Sequence, residues 1–271
     1  MDVLERIACH NFVVADGYAY FSNWFYNGLY KVEIETGKTI FLDYFRDEKL
    51  SQWNIHKEIF LKNNKVYACP WKGRHVHIWN LADHTLCSVE IRRKDDKRFF
   101  ADEVIRGENS IYFVPDRKGI PIKKMDLESL RVTEAVKNSE IQGTAMSESK
   151  DIFPYPELVE KYHIEHTDKF FWRQVSCNVW YGFKPLGRHI MRYVKGIDEL
   201  EILPLTVINQ RELNEHVQKI KAELLNDNPV WERTTKIQDF MEKVKIEETQ
   251  KAKTFRKNKN IGERIWEYTA I

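Results

Sequence analysis

Between Phe12 and Phe45 the apolar residues come in four short runs separated by turn residues. Phe12-Val13-Val14 leads into Asp16-Gly17, a dipeptide suited to a two-residue hairpin because its turn needs positive φ. Tyr18 to Phe21 is an extended aromatic run, followed by a polar aromatic loop from Ser22 to Gly28. Leu29 to Ile34 alternates apolar and polar positions, Thr36-Gly37-Lys38 turns the chain, and Thr39 to Phe45 makes a fourth run. This pattern predicts four antiparallel strands in one meander.

The pattern returns along the chain. Tyr20 lies in the second run, and Tyr67, 47 residues on, sits in a similar place within Val66 to Trp71. Around it, Ile59-Phe60-Leu61 with Asn63-Asn64, then Gly73 to Leu81, then Thr85 to Ile91 complete a second meander. A third is built from Val104-Ile105, Ile111 to Pro115, Ile120 to Leu127 and Leu130 to Val136, with Tyr112 a further 45 residues along. A fourth follows an insertion, as Phe170 to Val175, Val179 to Phe183, Arg188 to Val194 and Glu199 to Leu205. Here Gly187-Arg188-His189-Ile190 repeats Gly73-Arg74-His75-Val76 at an offset of 114, just before the third strand in both copies. A spacing near 45 residues is that of repeat architectures in which each unit must stack on its neighbours to bury a core.

Past Thr206 the period changes. Leu213, Val217, Ile220 and Leu224 recur at steps of four and three, one face of an amphipathic helix. Asp227-Asn228-Pro229 ends it, and a second helix is predicted to bury Trp231, Ile237, Phe240, Met241 and Val244. The domains are therefore read as a repeat domain at 1–205, with blades at about 11–54, 55–99, 100–136 and 169–205, and a helical C-terminal extension at 206–271. The insertion, 137–168, contains a polar stretch and a short helix predicted near Pro156 to Tyr162.

Composition changes this picture little. The chain has 271 residues, 42% hydrophobic and 13% aromatic, with eight tryptophans. That aromatic share suits strands and binding surfaces alike. A formal charge of +2 gives no field that points to nucleic acid or an acidic membrane. Cys9, Cys69, Cys87 and Cys177 are scattered without metal or disulfide spacing. With no signal sequence or apolar span legible, free thiols in a cytoplasmic protein are the expectation.

The stretch DGYAYFSNW followed by NGLYKVEIETGKT resembles β-propeller repeats of the broad WD40, kelch and related bacterial groups. The likeness covers residues 11 to 136 well and 169 to 205 less closely. Trp79 is followed by Asn80 where WD40 repeats commonly carry Trp-Asp, and the kelch diglycine is missing. The resemblance implies a mainly β fold of about four propeller-type blades serving as a binding platform. Four blades would leave sheet edges to be covered by ring closure, by extra strands within 137–168, or by the helical tail or a second chain.

The loops between second and third strands fall on one rim. They carry Trp24, Trp71, Arg74, Arg117 and Arg188, residue types enriched at binding hot spots. This predicts a non-catalytic binding or scaffold protein, with a protein, peptide or glycan ligand and self-association through the helical tail. The competing reading packs these tryptophans between blades and leaves the arginines solvated. His75 and His77 share a strand face and, with Cys69, raise a zinc site, but spacing supplies no fourth ligand and no metal or cofactor is expected. His163 and His166, flanking Glu165, are a weaker version of the same pattern.

No GxSxG, GxxxxGK or GxGxxG motif is present. The alternative function is an enzyme acting on a carbohydrate or peptide at the channel mouth, with Asp43, Asp47 or Asp116 as acid or base. The basic run Lys251 to Lys259 contains Phe255, yet neighbouring acidic helices make a solvated helix end the preferred reading over nucleic-acid or lipid binding.

Overall fold

Sixteen strands form where the repeating pattern places four meanders. The structure is a computed structural model that describes residues 7, 9, 11–93, 101–115, 119–135, 141, 143–145, 171–183, 189–197 and 199–227. The first meander is β1 (Val13–Ala15), β2 (Tyr18–Ser22), β3 (Leu29–Glu33) and β4 (Lys38–Asp43). The second is β5 (His56–Lys62), β6 (Lys65–Pro70), β7 (His75–Asn80) and β8 (Leu86–Glu90). The third is β9 (Ala101–Arg106), β10 (Ser110–Pro115), β11 (Ile122–Asp126) and β12 (Val132–Ala135). After β13 (Thr144–Ala145), the fourth runs through β14 (Phe171–Ser176), β15 (Val179–Phe183), β16 (His189–Val194) and β17 (Glu199–Pro204). The chain continues through β18 (Thr206–Val207) into α1 (Gln210–Asp227).

Each meander is antiparallel with its strands in sequence order, and two gain a fifth strand. β18 joins the outer edge of β4 in parallel, while β13 joins β9. The polar stretch of the insertion thus holds a two-residue strand, the extra-strand option weighed from the sequence. The turns follow their residues: Asp16-Gly17 and Asn63-Asn64 both take two successive positive φ values, as two-residue hairpins require.

The repeat register is uniform. Tyr20, Tyr67, Tyr112 and Tyr181 each occupy the third position of a second strand, and all four are buried. Tyr67 pairs with Ile78 and Tyr181 with Arg192, so the offset of 114 that relates the two Gly-Arg-His segments is also the structural register. The second strands of the first two sheets bury both faces because each of these sheets has a neighbour on either side. On one face of the second sheet, Phe60, Tyr67, Cys69, Val76 and Ile78 pack with Val104, Ile111, Phe113 and Met125 of the third. The first sheet meets the fourth where Phe183 lies 4.6 Å from Phe12 and 5.4 Å from Phe21, ring centroid to centroid. Beside them Arg173 donates to Asn11 Oδ1 at 2.6 Å. This is a mainly β, propeller-like arrangement of four-stranded sheets with a C-terminal helix.

The outer part of the first sheet is sealed by the segment that follows the fourth. Thr206 N donates to Gly37 O and Ile208 N to Thr39 O, each at 3.0 Å. Asn209 then extends the ladder with its side chain, accepting from Phe41 N at 2.9 Å and donating to Phe41 O at 2.7 Å. α1 buries Leu213, His216 and Ile220. Residues 1–221 make one compact unit and 222–271 another. The helices predicted at Pro156 to Tyr162 and beyond Pro229 lie outside the described residues. No described helix is long and apolar enough to cross a membrane.

Candidate functional site

The junction of the first two sheets gathers most of the chemistry. Three backbone segments are tied together there by the connection from Phe45 to Ile55. Asn54 N donates to Trp24 O at 2.8 Å, Trp71 N to Ile55 O at 2.7 Å, and Lys72 N to Asn54 O at 3.0 Å. Asn54 takes a positive φ of 52° to make this crossing, a conformation asparagine adopts more readily than most residues. The effect is to bring Trp24 and Trp71, from equivalent loops of adjacent sheets, into an edge-to-face pair with centroids 6.1 Å apart.

Both tryptophans are half-buried, so each packs on its neighbour while keeping a face in solvent. Trp53, on the connecting segment, is 53% exposed, and the ammonium of Lys72 lies over its ring. Lys57 reaches the face of Trp71 at 5.9 Å. The rim cations beside the tryptophans are therefore lysines. Arg74 has another duty: its guanidinium donates to Asp47 O at 3.1 Å and pairs with Glu90 at 3.6 Å, tying the second sheet to the connecting segment. Arg117 and Arg188 lie outside the described residues. Trp53 and Lys57 escape a reading confined to the loops between second and third strands, and Lys72, inside the second of those loops, is passed over by a choice of tryptophan and arginine alone.

Behind the rim lies a buried polar cluster. β7 alternates its side chains, so His75 and His77 share the face turned toward the first sheet. Cys69 belongs to the opposite face, within the apolar core shared with the third sheet, and burial holds its thiol pKa well above the ordinary value. Strand parity thus separates Cys69 from the two histidines beside which the sequence raises it. The carboxylate of Glu48 takes that place, and one donor atom each of Glu48, His75 and His77 lie within 4.8 Å of one another. No local spacing could reveal Glu48, which arrives from the connection between sheets.

Glu48 Oε1 accepts three hydrogen bonds, from Arg74 N at 2.5 Å, His75 N at 3.1 Å and His75 Nδ1 at 2.9 Å. Burial raises its pKa, but the imidazole and amide donors together outweigh that and leave it below the ordinary value. His77 Nδ1 lies 2.8 Å from His56 Nε2, and Phe45 packs against both rings. Burial is the main reason that His77 is shifted down to about 3 and His56 well below its ordinary value, so both rings are neutral near pH 7.

His77 also forms part of the wall of a cavity of about 360 Å³ lined by Asp43, Asp47, Trp79, His84, Cys87 and Ser88. Two of the three carboxylates considered as acid or base line this space; the third, Asp116, lies outside the described residues. The Ser88 hydroxyl donates to Asp47 Oδ2, the largest cause of that carboxylate's lowered pKa. An ionised aspartate there can accept a proton but is a weak general acid at neutral pH. His163, His166, and the basic run from Lys251 to Lys259 are not among the described residues.

No protein-family model matches this chain, and no curated protein matches it in sequence. Among solved structures, a structural-genomics protein of unknown function from Bacteroides thetaiotaomicron is similar at 11% identity and a TM-score of 0.37. The match covers 73% of this chain and 43% of that one. The computationally designed Ika8 protein is similar at 9% identity and a TM-score of 0.33, with 76% of this chain and 50% of that one covered. The chain thus spans half or less of these structures.

Proposed function

We propose that this chain is a non-catalytic binding or scaffold protein whose ligand docks on the rim where the first two sheets meet. The observation that carries this reading is the convergence of Trp24 and Trp71 from equivalent loops, with exposed Trp53 and Lys72 beside them. Rigid aromatic faces contribute large contact area at low entropic cost, and a neighbouring ammonium adds selectivity for acceptor groups. Peptides and glycans both present apolar edges alternating with hydroxyl, carbonyl or carboxylate oxygens. The tying of three segments by backbone hydrogen bonds limits the reorganisation that binding would require.

The test is a titration of the full chain, followed by tryptophan fluorescence, against defined panels of acidic peptides and neutral oligosaccharides. A ligand of this rim should lose at least about tenfold in affinity with Trp71→Ala, as expected for a hot-spot aromatic. Arg74→Ala should act mainly on stability, because its guanidinium serves the sheet junction. Binding from the panels that is indifferent to Trp24→Ala and Trp71→Ala would refute the reading.

A further inference from the structure

We infer that Glu48, His75 and His77 form a binding site for one zinc ion. Two histidines and a carboxylate are a donor set that zinc takes with water in its fourth position. The cluster has the supporting contacts such a site needs. Glu48 Oε1 and His75 Nδ1 face each other at 2.9 Å, as two donors to one ion would once it displaces the proton between them, while His77 Nδ1 is held by His56 and leaves Nε2 over. Metal-binding histidines characteristically donate their second ring nitrogen to a fixed partner, which sets tautomer and orientation.

His77 Nε2 supplies the independent sign. It is a polar atom on a side chain 2% exposed, and it has no hydrogen-bond partner among the described residues. A buried group left so carries a desolvation penalty unless something satisfies it. When His77 donates Nδ1–H to His56, the lone pair on Nε2 is bare and available to a cation. The donor atoms, within 4.8 Å of one another, approach the ~3.3 Å spacing of a tetrahedron with bonds of about 2.0–2.1 Å. The cavity described above borders the cluster at His77.

The proposal is independent of the rim and of whatever binds there. The experiment strips the full chain with a chelator, adds zinc, desalts, and measures metal per chain and affinity against a chromophoric chelator. One zinc per chain is expected, with at least about a tenfold affinity loss in His77→Ala and Glu48→Gln. Cobalt in place of zinc should give visible d–d bands without a thiolate charge-transfer band, and Cys87→Ser should bind as the parent does. The parent spectrum decides the matter even where a variant does not fold. Absence of stoichiometric metal, a thiolate band, or full affinity in a folded His77→Ala chain would each overturn the assignment.

Discussion

Gly37 is the residue at which local turn chemistry and long-range packing meet. Its φ of +72° disfavours any side chain with a Cβ, and that Cβ would fall inside contact distance of the Pro204 carbonyl oxygen. Backbone cannot move aside as a flexible side chain can. Gly37→Ala should therefore lose about 2–3 kcal/mol, the sum of a φ penalty and a displaced strand, as read by urea denaturation. A loss below about 1 kcal/mol, the φ penalty alone, would mean that Pro204 relaxes freely. The turn at Gly37 is legible in the sequence because glycine there has a local reason. Its proximity to Pro204 is not, since no local pattern relates positions so far apart.

At the scale of elements, the four meanders are legible because a strand pattern with turns repeats, and each copy reinforces the others. The helix is partly legible. Leu213 and Ile220 are buried as their spacing predicts, but the residue between them that is buried is His216, which a hydrophobic pattern passes over. His216 stacks on Phe41 and Tyr44 and donates from Nε2 to Asn27 O at 2.5 Å. Its Nδ1 is buried without a partner among the described residues. Protonation would place a second N–H there, so burial lowers the pKa from 6.5, with Lys219 adding to the shift and Asn27 and Asp43 opposing it. A histidine with a lowered folded pKa contributes fully above its unfolded pKa and loses that contribution as pH falls from there toward the folded value. Hydrogen exchange of α1 amides, corrected for intrinsic rates, should thus show less protection at pH ~5 than at pH ~7.5. His216→Phe should remove this dependence while losing the bond to Asn27. A pH response unchanged in that variant would assign it to another group. Asn209 offers a companion test: Asn209→Asp keeps an acceptor for Phe41 N but sets an oxygen against Phe41 O, and should cost about 1–3 kcal/mol.

For the whole molecule, the question posed by a short series of sheets is what covers the face and edge of the first. The sequence leaves open whether ring closure, the tail or a second chain does so, because the covering groups arrive from distant positions. In the structure, Phe183 covers Phe21 while β18, Asn209 and α1 cover β4 and Phe41 farther out. The tail is thus a structural part of the first sheet, and two truncations separate this role from anything residues 228–271 do. A chain ending at Asp227 keeps β18 and all of α1; one ending at Leu205 loses both. Burial of Leu213 and Ile220 alone is worth about 3–6 kcal/mol, so the shorter chain should melt at least ~6 °C below the longer. The chain ending at Leu205 should also run at a larger mass in light scattering at equal concentration, because the bared β4 edge is a template for pairing. Equal melting temperatures would show that the first sheet needs no cover. A lower melting temperature without self-association would instead place the tail's value in the aromatic contacts of His216 and its neighbours, not in the edge.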